Sequence, residues 1–92
     1  MLHARFPLGS VVGTPSAFAA LQRNGESPFT FLARHQAGEW GEIDEHDRAE
    51  NETSLQHGFR LLSAYRLLDG TRIWVITEAD RSSTCILLPE EY

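Results

Sequence analysis

Two packets near the start of the chain carry the same punctuation. TPSAFAALQRNG runs from Thr14 to Gly25, and SPFTFLARHQAG from Ser27 to Gly38. Each opens on a hydroxyl residue able to accept a backbone N–H at a helix N-terminus. Each then has proline at the first helical position and ends on glycine, which suits the left-handed C-terminal position. Between these signals Ala17, Phe18, Ala20 and Leu21 form one apolar stripe, and Phe29, Leu32 and Ala33, with Phe31 beside them, form another. The pattern predicts two short helices joined by a tight turn. A third packet, EWGEIDEHDRAENETSLQHG at 39–58, has Asp44 as a cap and Glu45 and Asp47 in the first turn, where the helix dipole favours negative charge. Gly58 ends it. Its apolar face is thin, with Ala49 and Leu55 inside it and Ile43 and Phe59 at its ends, so this helix is expected to lie mostly in water. Trp40 and Ile43 are expected to anchor its start to the core.

The last third changes period. FRLLSAYRLL (59–68), TRIWVIT (71–77) and STCILL (83–88) have the β-branched and aromatic content of strands. Asp69-Gly70 is a two-residue hairpin signal. That register sets Tyr65 opposite Trp74 and Ala64 opposite Val75. It gives one face Leu62, Ala64, Ile73, Val75, Ile86 and Leu88, and the other Leu61, Tyr65, Leu67, Trp74, Ile76, Cys85 and Leu87. Both faces are apolar. Three small helices can cover one of them, and LGSVVG at 8–13 can lengthen the sheet but not cover a face. The expected fold class is α+β: two or three short N-terminal helices packed on a C-terminal antiparallel three-stranded meander, with LGSVVG as a candidate added strand, all in one domain spanning 1–92. The second sheet face, with Tyr65, Trp74 and Ile76, is then covered either by the third helix folding back over it or by another chain, as a dimer or partner face.

Composition narrows the chemistry. At 92 residues, 41% hydrophobic and 23% charged, the chain fits one small folded domain. No run of eighteen apolar residues spans a membrane, and the N-terminus lacks the continuous apolar core of a signal peptide, so a cytoplasmic location is the expectation. Cys85 is alone, which rules out an intramolecular disulfide, and its neighbours Ile86, Leu87 and Leu88 mark a small buried hydrophobe. The net charge is −5, and all eight basic residues are arginines, at 5, 23, 34, 48, 60, 66, 72 and 81. An acidic chain with scattered arginines has no stripe for phosphate contacts, so no direct nucleic-acid binding is expected.

Candidate sites are sparse. TEADRSST at 77–84 gathers Glu78, Asp80, Arg81 and Ser82, but no histidine lies nearby in sequence to serve a hydroxyl nucleophile as base. A four-residue hairpin loop, with Asp80 and Ser82 making local backbone bonds, accounts for it, and its tip can still serve as a contact surface. His46 and Glu50 are four apart on a helix, a spacing that can chelate, while His57 is two turns further and out of reach of the same ion. No catalytic, cofactor-binding or metal residue is assigned. Seven of the fourteen residues from Glu39 to Glu52 are acidic, enough to imitate DNA phosphates, although an ordinary solvated acidic helix is the preferred explanation.

The stretches GEWGEIDEHDRAEN, RLLSAYRLLDGTRIWVITEADRSSTCILLPEEY and LGSVVGTPSAFAAL together resemble a family of small bacterial proteins of unknown function, often carried on plasmids and other mobile elements. Members are labelled plasmid-related, and sometimes as a subunit of a type I restriction methyltransferase. The resemblance covers nearly the whole chain and is most specific at WVITEADRS and LLPEEY. It implies no catalytic residues, and a methyltransferase is implausible at this length, with neither a cofactor-binding glycine motif nor an Asn-Pro-Pro-Tyr-type tetrad. It implies a setting in mobile DNA. The resulting expectation is a non-enzymatic accessory protein acting by protein–protein contact, for example an inhibitor of a host restriction or CRISPR complex. Its expected contact residues are Trp40, Glu42, Asp44, Glu45, Asp47, Glu78, Asp80 and Arg81. The alternative is a homodimeric structural or regulatory module.

Overall fold

The computed structural model describes residues 3–92. Strand β1 (Ser10–Gly13) comes first, then helices α1 (Pro15–Arg23), α2 (Pro28–Gln36) and α3 (Glu45–His57). Strands β2 (Leu61–Arg66), β3 (Arg72–Thr77) and β4 (Ser83–Leu87) follow, and a single 3-10 turn, Pro89–Glu91, closes the described chain. The class is α+β, but the sheet has four strands in the order β1-β4-β3-β2, with β1 parallel to β4 and the remaining pairs antiparallel. The expected three-stranded antiparallel meander is thus extended into a mixed sheet, and the helices sit between its first strand and the other three.

The caps form where the punctuation puts them. Thr14, Ser27 and Asp44 accept the N–H groups of Ala17, Phe29 and Asp47, and Gly58 takes the left-handed conformation at the end of α3. The stripes differ in detail. On α1 Ala17, Ala20 and Leu21 are buried while Phe18 is exposed, and on α2 the buried set is Phe31, Leu32 and His35, with Phe29 pointing outward. On α3 it is Asn51 and Ser54 that are buried, and Ala49 is exposed.

The first hairpin corrects the expected register by one residue. Tyr65 pairs with Ile73 and Ala64 with Trp74. Leu67 donates its N–H to the Thr71 carbonyl at 2.7 Å, so the loop is the three residues Leu68, Asp69 and Gly70. A two-residue type I′ turn needs positive φ at both central positions, and only Gly70, at 91°, has it. Side chains from the α1–α2 turn help hold the longer loop: Glu26 accepts the Leu68 N–H at 3.0 Å and Asn24 the Asp69 N–H at 2.9 Å. A one-residue slip moves every side chain of a strand to the other face. Leu61, Ser63, Tyr65 and Leu67 therefore join Ile73, Val75, Thr77, Thr84 and Ile86, all of them buried, beneath α1 and α2. Leu62 and Ala64 move to the opposite face with Trp74, Ile76, Cys85 and Leu87.

The outer edge of β2 is closed by the chain itself. The Ala64 N–H donates to the Trp40 carbonyl at 3.0 Å, and the Ala64 carbonyl accepts from the Glu42 N–H at 2.7 Å. Gly41 lies between them with φ 78°, where an added Cβ would sit 2.0 Å from the Ala64 oxygen, so this approach requires glycine. Two residues back, the Asn51 side chain imitates a strand residue: its amide donates to the Leu62 carbonyl at 2.7 Å and accepts the Leu62 N–H at 3.1 Å. Asn51→Ala leaves both backbone groups without that partner, and unmade buried hydrogen bonds are costly. We expect a loss of about 2 kcal/mol in denaturant unfolding; an unchanged midpoint would contradict this role for Asn51.

Candidate functional site

Beneath α2 lies a chain of polar groups in an otherwise apolar layer. His35, Ser63, Thr77 and Thr84 are all completely buried. His35 shares the inward side of α2 with Phe31 and Leu32, four and three residues back, and its ring meets Phe6 and Trp40 edge-on at centroid distances of 5.2 and 5.7 Å. The Thr84 hydroxyl donates to the Leu8 carbonyl at 2.8 Å, and this far end sets the direction of the whole chain. With its proton committed there, Thr84 accepts from Thr77 at 2.7 Å. Thr77 in turn accepts from His35 Nε2–H at 2.9 Å, and the bare Nδ1 accepts from Ser63 Oγ at 2.5 Å. The imidazole is neutral, with its proton on Nε2. Among the described residues no buried side-chain polar atom lacks a partner.

A histidine with a hydroxyl at each ring nitrogen has the outline of a nucleophile and its base. The electrostatics run the other way. Burial, with the Arg81 charge as a smaller cause, pushes the His35 pKa down to about 3. A general base for neutral pH needs a value near the working pH. The proton chain also ends on a carbonyl, which cannot relay a proton. Nothing in the sequence reading singled out His35 beyond its presence; its place in the Phe31, Leu32, His35 spacing was the available signal.

The expected contact residues separate into structural and free groups. Trp40 is buried against Phe6 and Leu61, with its indole N–H donating to Glu52 at 3.2 Å, so it is a core anchor and not a contact residue. Arg81 is also occupied. Its guanidinium donates to four carbonyls, those of Ser54, Phe59, Glu78 and Ala79, at 2.6 to 3.2 Å, tying the β3–β4 loop to the end of α3. That loop is the four-residue turn expected, with the Asp80 carboxylate accepting the Ser82 N–H at 2.9 Å. Asp44 caps α3, Glu42 pairs with Arg66 at 3.2 Å, and Glu78 with Arg60 at 3.2 Å. Glu45 is exposed and Asp47 half-buried on the outer side of α3.

The same accounting changes the picture of the arginines. Arg5, Arg23, Arg34, Arg60 and Arg66 reach Glu52, Asp69, Glu39, Glu78 and Glu42 within 3.7 Å. Arg48, Arg72 and Arg81 donate to backbone carbonyls. Three of the seven carboxylates between Glu39 and Glu52 are thus neutralised by their own chain, which breaks up any phosphate-like row. Each exposed pair is worth only up to about 1 kcal/mol, so their main consequence is for surface potential. His46 and Glu50 meet at 3.6 Å on the solvent side of α3, and the described residues contain no group of three that could hold a metal ion.

The remaining candidate is the second sheet face. Ala64, Ile76 and Leu87 are buried in its floor, Leu62, Trp74 and Cys85 are partly exposed, and Val12 on β1 is half-exposed. Among the described residues no helix lies across it. Its cover is the chain end: Tyr92 stands edge-on to Trp74 at 5.5 Å, and its hydroxyl accepts from Arg60 at 3.0 Å. Glu91 holds this cover down by accepting from the Thr14 hydroxyl at 2.7 Å and from the Leu88 N–H at 2.8 Å. Burial raises the Cys85 pKa, so that thiol on the face is not an activated nucleophile. Trp74 and Ile76 are on this face as expected. Tyr65 is not: the register slip sends it beneath Phe31, where its hydroxyl donates to the Glu39 carbonyl at 2.6 Å.

The neutral histidine has a consequence for stability. The unfolded chain binds a proton at His35 near pH 6.5, and the fold resists doing so down to about 3. Its contribution is complete above 6.5 and is lost as pH falls through that window, at up to about 1.4 kcal/mol per pH unit. Glu52, Asp69, Asp80 and Glu91, whose pKa values are lowered, start from ordinary values of 4.5 or 3.8, so their losses begin lower. Unfolding free energy should therefore fall between pH 6.5 and 5 in the native chain. The fall should be much smaller in His35→Gln, which keeps a donor and an acceptor; equal slopes would contradict the assignment.

No family model, curated protein or solved structure matches this chain.

Proposed function

We propose that this chain is a protein-binding module, an accessory of mobile DNA that inhibits a host defence complex such as restriction or CRISPR machinery by direct contact. The observation that carries the reading is the half-open apolar face. Its floor is as dry as a core, yet Leu62, Trp74 and Cys85 remain partly exposed under the cover of one aromatic side chain. A large aromatic beside aliphatic neighbours, rimmed by Arg60–Glu78 and Arg66–Glu42, has the anatomy of an interface: apolar centre, charged rim. The mobile-element setting rests on the resemblance of the sequence, and a cytoplasmic site of action follows from the same reading. Exposed Glu45 and the half-buried Asp47 would add selectivity at the margin and faster encounter with a basic partner. No helix of the described residues is long and apolar enough to cross a membrane. A homodimer built on a Tyr65–Trp74 face is a poorer reading, because those side chains lie on opposite sides of the sheet.

The test is functional. Expression of the chain in a restriction-proficient or CRISPR-proficient host should raise establishment of a targeted plasmid. A Trp74→Ala, Tyr92→Ala variant that melts cooperatively should abolish the effect. An interface anchor of this kind typically costs a partner about 2 kcal/mol or more when truncated. No change in any defence background, or full protection by the folded double variant, would contradict the proposal.

A further inference from the structure

The two edges of the sheet are treated differently. The β2 edge is closed by Asn51 and by the Trp40–Glu42 segment, while β1, at the other end, has no cover among the described residues. Ser10 donates to the carbonyl of Ser82, just before β4, and Thr14 to that of Ile86 within it, so the even-numbered residues of β1 point their backbone groups inward. The N–H and C=O groups of Val11 and Gly13 point away from the sheet, with no backbone or side-chain partner among the described residues. Natural edges are usually blunted by charge, proline or a bulge. Ser10-Val11-Val12-Gly13 carries none of these. It is also flanked by apolar side chains on both faces, with Val11, Val12 and Phe18 being 44%, 51% and 40% exposed.

We propose that β1 pairs with β1 of a second copy of this chain, antiparallel about a two-fold axis through Val12, to make one continuous eight-stranded sheet. The edge is complementary to itself in three ways. The two outward residues lie two apart, so Val11 meets Gly13 of the second copy in both directions. Four cross-copy hydrogen bonds then use every outward group of the strand. Val12 meets its own copy as the closely spaced, non-hydrogen-bonded pair, on the face that carries Cys85. On the other face the Phe18 ring lies over Gly13, where a Cβ would be 2.6 Å from it. Val11 of the second copy, set opposite that glycine, packs against the same ring. Val11, Val12 and Phe18, the exposed apolar side chains at this edge, thus cover one another, and the strand's neutrality adds no repulsion between two chains of net charge −5. A four-residue strand buries little area, so the pair is weak, with dissociation at micromolar concentration or above. The pairing takes Val12 from the margin of the Trp74 face and leaves Trp74 itself free.

Sedimentation equilibrium from micromolar to millimolar protein tests the pairing, alongside amide exchange at Val11 and Gly13. The wild type should dimerise with concentration, and exchange at those two amides should slow in step. Val11→Pro removes only an outward N–H and spares the ladder to β4. It deletes two of the four cross-copy bonds and should weaken the dimer about tenfold. Val12→Lys should weaken it further by setting two ammonium groups together. A wild type that stays monomeric, or fast concentration-independent exchange at Val11 and Gly13, overturns the proposal. So does a dimer that survives in folded Val11→Pro but fails in Trp74→Ala. If either β1 variant fails to fold, the wild-type exchange decides alone.

Discussion

A sheet has two faces, and this chain supplies helices for one. The packing of α1 and α2 against Tyr65, Leu67, Ile73, Val75 and Ile86 is the constraint on which the rest of the structure depends. Burying such side chains contributes about 1.5–3 kcal/mol each. That layer sets which way every strand faces and sends Leu62, Trp74, Ile76, Cys85 and Leu87 to the other side. α3 could have covered them. Its sequence is too polar to do so: it uses Asn51 to close the β2 edge and leaves a row of charges in solvent. The second face is left to Tyr92.

The buried polar chain sits within the same constraint. His35 occupies a position on α2 where the neighbouring inward residues are Phe31 and Leu32, and the strand positions beneath it are Ser63 and Thr77. A fully satisfied network of this kind fixes the register of the helix over the sheet, since a shift by one residue would leave several polar atoms unpaired. The arginines play a parallel part at the surface. Each reaches a carboxylate or a carbonyl of its own chain, work suited to a planar fork of donors more than to an ammonium. That offers a structural account of a chain with eight arginines and no lysine.

Much of this was legible in the residues. Thr14-Pro15 and Ser27-Pro28 marked helix starts because capping is local chemistry, and the strands after Gly58 announced themselves by composition. What was not legible depended on distant partners. Asp69-Gly70 suggested a two-residue turn, but side chains of Asn24 and Glu26, more than forty residues earlier, support a three-residue one, and the slip exchanged the faces of β2. Trp40, expected to anchor the start of α3, does so against Phe6 and Leu61, which also takes it out of the set of contact residues, and Arg81 looked like a contact residue because a sequence does not show that four carbonyls wait for it. Ser63, Thr77 and Thr84 passed as ordinary strand residues because only the fold brings a histidine over them.

The central claim is that Trp74 belongs to a surface held open for another molecule, whereas Trp40 belongs to the core. Acrylamide quenching of the two single-tryptophan variants, Trp40→Phe and Trp74→Phe, in the free protein measures this directly. The account predicts that Trp74 fluorescence, read in Trp40→Phe, is readily quenched, while Trp40 fluorescence, read in Trp74→Phe, is protected until the protein unfolds. A Trp74 as protected as Trp40 in a free, folded monomer would contradict it.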